Sequence, residues 1–241
     1  MLTALPPRAT AVDACVEALR QRILTGELPA HDRLPPERDL ATQLGTSRVT
    51  VRSALGRLAE ANLISVRQGS GYVVRDYRRD GGPDLLPGLV SLARGREASA
   101  IAGDLLLVRR HLATAVLERL SVGVPAARLT RVARAIDALE AVVTADAATF
   151  AEADVAVVAA LLEATGSPVL QLCLNPVLAV LREMPALRDA MYAAPESNVA
   201  SWRALLAWAH APSPSTIPTV LAELANRDRR TLARLSTRKT R

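Results

Sequence analysis

From residue 11 to 24 the chain reads AVDACVEALRQRIL, with Val12, Cys15, Val16, Leu19 and Ile23 recurring every three or four positions and Arg20 and Arg22 between them. That spacing puts the apolar side chains on one helix face, and Gly26 ends the helix. Leu34-Pro35-Pro36-Glu37-Arg38 opens a second helix, because proline suits a first turn and an acid suits the positive end of the helix dipole. Leu40, Ala41 and Leu44 then share a face, and Gly45 closes the element. Thr46 or Ser47 can cap a third helix, from about 47 to 61, which turns Val51, Leu55 and Leu58 inward. Ile64-Ser65-Val66-Arg67 and Tyr72-Val73-Val74 flank Gln68-Gly69-Ser70-Gly71, the pattern of a two-stranded hairpin with a glycine-rich tip. Helices joined by a tight glycine turn, followed by a small hairpin, predict a winged helix-turn-helix.

Residues 76–88 (DYRRDGGPDLLPG) are charged and then rich in Gly and Pro, the clearest boundary in the chain. Beyond it the periodicity is helical, with helices expected near 85–93, 97–121, 125–145, 148–165, 168–183, 185–193, 196–210 and 216–235. The expected fold class is mostly α, an N-terminal winged helix-turn-helix with a small β-hairpin wing and a C-terminal all-helical bundle. The expected domains are 8–76 for the first part, a linker over 77–88, the bundle over 89–235 and a basic tail over 236–241.

Composition narrows this further. Half of the 241 residues are hydrophobic but only 2% are aromatic, so the core must be built from Ala, Leu and Val, which favours packed helices. The longest apolar run, Val155 to Leu162, is eight residues, against roughly 20 for a bilayer span. No signal-peptide core precedes the charged residues from Arg8 onward, and Cys15 and Cys173 do not make a disulfide framework. A cytoplasmic protein without a membrane partner is expected. Cys173, between Leu172 and Leu174 and with no basic neighbour, is expected to be a buried thiol. Lys239 is the only lysine, three residues from the C-terminal end. Schiff-base chemistry needs a lysine held in a pocket. No nucleophile–base pairing is visible either, so neither an enzyme nor a cofactor is expected.

Charge is uneven. Residues 1–80 carry a net +3, residues 81–227 a net −2 and the last 14 a net +5. A basic N-terminal part on a mildly acidic body implies that one end meets a polyanion. A recognition helix presents its N-terminal residues to base edges in the major groove. Here that stretch is Ser47, Arg48, Thr50 and Arg52, left outside when Val51 turns inward. Arg48 can donate two hydrogen bonds to guanine O6 and N7. Ser47 and Thr50 suit phosphate or mixed contacts and Arg52 suits phosphate. Arg38 can reach the backbone from the preceding helix, while Gly69 and Gly71 let the hairpin tip approach the minor groove with Arg67 and Gln68 alongside.

Leu34-Pro-Pro-Glu-Arg-Asp-Leu-Ala41, Ser47-Arg-Val-Thr-Val-Arg-Ser-Ala-Leu55 and Gln68-Gly-Ser-Gly-Tyr72 resemble the DNA-binding domain of the GntR superfamily. With an all-helical second half, in which Asp104 to Arg109, Asp154, Gly166-Ser167-Pro168 and Leu174-Asn175 follow in order, the chain resembles the FadR subfamily with its FCD effector domain. The resemblance implies DNA contacts from Arg38, Ser47, Arg48, Thr50, Arg52, Gln68 and Gly69. It implies a homodimeric repressor or activator on a short palindromic operator, governed by a small-molecule effector.

Many members of the subfamily hold a metal with one Asp and three His. Asp154 matches the Asp, but the first His position falls at Val158, the second near Trp202, and the helix after 216 contains no His. No metal site is therefore expected. The layout is similar to the fatty-acid regulators of the subfamily, which bind long-chain acyl-CoA, so an acyl-CoA or an organic acid is the expected effector. The candidate effector residues are Arg109, Asp154, Asn175 and Trp202. Arg109 stands among Leu105, Leu106, Val108 and Leu112 and would need an anion, either an internal acid or the effector's own charge. Trp202 and Trp208 lie six positions apart on different helix faces, where core packing is the ordinary expectation. Two alternatives remain: an effector-independent DNA-binding dimer with a degenerate sensor, and an enzyme fused to a DNA-binding arm.

Overall fold

The computed structural model describes residues 10–67 and 71–237, in two compact units, Met1–Leu92 and Ala93–Arg241. In the first, α1 (Ala11–Leu24), α2 (Glu37–Gln43) and α3 (Arg48–Glu60) precede an antiparallel pair, β1 (Ile64–Arg67) and β2 (Gly71–Val74), with Ile64 opposite Val74. The apolar spacing read from the sequence becomes the core: Leu19 and Ile23 of α1 pack with Val51, Leu55 and Leu58 of α3 and with Ile64 and Val74 of the hairpin. Gly45 sits at φ +62°, a left-handed turn that a side chain would strain, and this sets the corner between α2 and α3. The stretch before α2 is held along β2, where Leu34 N–H donates to the Tyr72 carbonyl at 2.9 Å and Val74 N–H to the Asp32 carbonyl at 2.9 Å.

The start of α1 is a reciprocal cap. The Thr10 hydroxyl accepts the Asp13 N–H at 3.1 Å, and the Asp13 carboxylate accepts the Thr10 N–H at 2.8 Å. The same carboxylate accepts from Arg57 of α3 at 2.5 Å. That bond first, and the Thr10 bonds next, hold Asp13 well below the usual carboxylate range. A depressed pKa contributes stability that is present above the unfolded value and is lost as pH falls through the folded one. Asp13→Asn is expected to lower the melting temperature at neutral pH. The gap should shrink once pH drops below about 4, as followed by thermal circular dichroism. A gap that ignores pH would deny the carboxylate this role.

The segment 77–88, expected to be a linker, folds onto the first unit instead. Asp76 caps α4 (Tyr77–Asp80), a 3-10 turn covers Pro83–Leu85, and α5 (Leu86–Leu92) follows. Leu85 is 3% exposed in the first core, with Tyr77, Leu89 and Leu92 packed against it. Glycine, proline and charge mark the turns here, but four apolar side chains at helical or turn spacing are enough to dock the segment.

The second unit contains α6 (Gly95–Ser121), α7 (Ala126–Ala141), α8 (Ala147–Thr165), α9 (Pro168–Glu183), α10 (Pro185–Met191), α11 (Pro195–His210) and α12 (Ile217–Thr237). Asp146 caps α8 through the Ala148 and Thr149 N–H groups, and Gly166 at φ +69° ends it. Its core joins Val132, Ile136 and Leu139 of α7 to Phe150, Val157 and Leu162 of α8, with the Phe150 and Tyr192 rings edge-to-face at 5.3 Å. Cys173, expected to be buried, is exposed beside Leu172 at 70% exposure. The inward stripe of α9 runs through Leu174 and Val177, and apolar neighbours in sequence do not bury a residue that lies off that stripe. Among the described residues, no helix is long and apolar enough to cross a membrane. Of the tail at 236–241, residues 238–241 lie outside the described residues.

Candidate functional site

Two places gather the chemistry. On the first unit, the Ser47 hydroxyl caps α3 by accepting the Thr50 N–H at 3.1 Å and lies 2.9 Å from the Thr50 hydroxyl. The cap places Arg48 at the first helical position, exposed and with no ion pair among the described residues. Arg52, expected at a phosphate, is joined to Glu37 of α2 by a two-pronged pair at 2.8 and 3.1 Å. That pair holds the Glu37 carboxyl below its usual range and ties the two helices of the motif together. Arg38 is 74% exposed and leans on Asp39 at 3.3 Å. Arg67 is exposed at the end of β1, while Gln68 and Gly69 lie outside the described residues.

The sequence reading missed Val49. It is 74% exposed on the same opening turn as Arg48, where an apolar side chain gains nothing in water. Its position two residues before the buried Val51 was the available signal. A methyl-bearing side chain beside Arg48 suits the 5-methyl of thymine.

The second place is a cavity of about 590 Å³ inside the helical unit, within the usual 300–1,000 Å³ range for small-molecule sites, flagged here as roughly typical. Leu105 and Leu106 of α6, Leu161 of α8, Leu178 of α9 and Leu205 of α11 give it apolar walls. Its polar groups cluster. Asp154 of α8, 8% exposed, accepts from the Tyr192 hydroxyl at 2.8 Å and from the Trp202 indole N–H at 2.6 Å. Burial, then the Asp154 charge, raises the Tyr192 phenol well above its ordinary pKa, so it stays a donor. Arg109 does have an internal acid. Asp228 of α12, 3% exposed, accepts from Arg109 Nη2 at 2.5 Å and Arg110 Nη1 at 3.1 Å. Arg227 donates to the Asn198 side-chain oxygen at 2.5 Å and lines the cavity.

Three of the four candidate effector residues, Arg109, Asp154 and Trp202, therefore line one cavity. Asn175 does not: it is exposed on α9, while its neighbour Leu174 faces inward. Both tryptophans line the cavity rather than serving as plain core, and Trp208 also donates to the Thr216 hydroxyl at 2.7 Å. Large rings on faces about 120° apart both reach a cavity of this width. Asn198, Arg227 and Asp228 were missed because their partners lie between 29 and 119 positions away in sequence.

The cavity does not suit a metal of the subfamily's kind. Both Asp154 oxygens are already taken by neutral donors, and the positions that would bring imidazoles hold Val158 and Trp202. A divalent ion here would face guanidinium groups where it needs lone pairs.

Residues 12–74 match the family described as bacterial regulatory proteins, gntR family, and residues 104–226 match the FCD domain. The HTH-type transcriptional regulator Mce2R of Mycobacterium tuberculosis is 48% identical over 83 residues, 34% of this chain and 35% of that one. The fatty acid metabolism regulator protein of Haemophilus influenzae is 30% identical over 112 residues, 46% of this chain and 44% of that one. The chain thus aligns with less than half the length of either relative. Lar, which controls the expression of the Listeria monocytogenes agr system, has a solved structure sharing the fold. Its TM-score is 0.62 over 96% of this chain and 99% of that one, at 13% identity. With a helix-turn-helix match over the first unit and an FCD match over most of the second, the chain belongs to the gntR family of bacterial regulatory proteins and carries an FCD domain.

Proposed function

We propose that the protein is a cytoplasmic, sequence-specific DNA-binding transcriptional regulator rather than an enzyme. It acts as a homodimer on a short palindromic operator, and a small metabolite in the FCD cavity modulates its affinity for DNA. The observation that carries this reading is the opening turn of α3. There Arg48 and Val49 stand exposed on a helix whose other face is fully buried, inside the region that matches the family model. Base readout needs such exposure, and core packing forbids it. The effector part rests on the cavity, whose apolar walls and few converging polar groups are the usual make-up of a ligand site. Effector binding would shift the population competent for the operator.

Fluorescence anisotropy with the protein's own upstream intergenic DNA tests this reading, with unrelated DNA as the control. Specific sites of this kind are bound roughly 10³-fold or more tighter than unrelated DNA. Long-chain acyl-CoA at micromolar level is expected to release the bound operator. Equal affinity for both DNAs would overturn the regulator reading. Tight specific binding that no acyl-CoA or organic acid alters would favour the effector-independent dimer.

A further inference from the structure

The cavity holds more positive charge than its own acids neutralise. Arg109, Arg110 and Arg227 bring three guanidinium groups to the α6–α12 side, against the two carboxylates of Asp154 and Asp228. Glu223, which also lines the cavity, is paired outward with Arg230 at 3.2 Å. Arg227 has no ion-pair partner among the described residues; its hydrogen bond goes to a neutral amide. Arg109 Nε is buried and without a hydrogen-bond partner among the described residues, although its Nη2 is bound to Asp228. A buried guanidinium donor left open costs free energy unless an anion meets it. The remaining polar groups cannot supply that anion, since Asp154 is already used by Tyr192 and Trp202.

We propose that Arg227, together with the open edge of Arg109, is a metal-free anchor for a ligand carboxylate, and that the ligand is a free acid with an unbranched apolar tail. This rests on the effector reading above and names the chemical class that the site takes. The leucine walls accept the tail, and the arginine pair stands where a metal-dependent relative would hold its ion. The anchor also separates two sources of an acyl chain. A free acid carries its charge at the end of the tail, within the cavity. An acyl thioester is neutral at that end and carries its phosphates far along the coenzyme.

Isothermal titration of the purified chain with decanoate, decanol and decanoyl-CoA tests the proposal without DNA. Decanoate is expected to bind about 10- to 100-fold tighter than decanol, the span of one hydrogen-bonded charge contact. EDTA should leave its affinity unchanged. Arg227→Gln should remove most of that preference while leaving decanol affinity as it was, and Arg227→Lys should keep a substantial part of it. Should Arg227→Gln fail to fold, the decanoate-to-decanol ratio in the natural chain still decides. Equal binding of acid and alcohol, tighter binding of decanoyl-CoA than of decanoate, or loss of binding in EDTA would each overturn the proposal. Operator binding is measured separately, so failure here leaves the DNA-binding reading standing, and failure there leaves this one testable.

Discussion

Replacing Arg48 with alanine is expected to abolish the preference for operator over unrelated DNA while leaving the fold intact. The side chain is exposed at the first position of α3 and makes no ion pair among the described residues. Its removal opens no cavity and orphans no buried partner. The Ser47 cap is independent of it, because the bond runs from the Thr50 backbone to the Ser47 hydroxyl. What disappears is a two-donor fork for a purine edge, worth about 1–3 kcal/mol for each recognition helix. On a symmetric site both copies lose it, so the operator affinity should fall by about 2–6 kcal/mol, or roughly 30-fold to several thousand-fold. Affinity for unrelated DNA, set by phosphate contacts and salt, should change much less. Anisotropy on both DNAs at one salt concentration, with circular dichroism beside it, gives the answer. Unchanged operator affinity would sink the docking of α3 into the groove.

Asp228→Asn carries the largest expected cost to the helical unit. Asp228 is nearly fully buried and receives Arg109 and Arg110 from the facing helix, both about three-quarters buried at the side chain. Asparagine keeps the shape and removes the charge, leaving two adjacent guanidiniums facing each other across a low-dielectric site. Breaking a buried pair from one side costs about 3–5 kcal/mol. The lower end, about 3 kcal/mol, is expected here because the arginines keep some solvent. Urea unfolding should therefore show a lower midpoint for Asp228→Asn. An Arg109→Met, Asp228→Leu double variant should recover part of the loss, since it removes the uncompensated charge. A double variant worse than the single one would show that packing, not charge, makes the site matter.

The two parts of the protein differ in how much the sequence reveals. The recognition helix was legible because its pattern is local. Val51, Leu55 and Leu58 face the core, so their neighbours must face out, and the cap at Ser47 precedes them immediately. The same reasoning should have found Val49, which was passed over because an apolar residue is habitually assigned inward. The cavity was only half legible. Arg109 betrayed itself by sitting among leucines, and Asp154 by its place in the family pattern. Asn175 was misplaced for the opposite reason: a motif position says nothing about which way α9 turns its face. Cys173 failed the same way, since one helical residue off the stripe is enough to expose it.

The sequence by itself determined the order and type of the elements, from α1 through the hairpin to α12, because apolar spacing, caps and glycine turns act over a few residues at a time. It also determined the outward row on α3, for the same local reason. Tertiary structure decided the rest. It drew 77–88 into the first core through Leu85, a contact with residues more than 20 positions away. It chose Asp228, 119 positions from Arg109, as that arginine's partner, and it set Tyr192 and Trp202 on the two oxygens of Asp154. Charge and hydrogen bonding act through space, and an arginine in a sequence looks the same whether its counter-ion lies one turn away or on a helix five elements later.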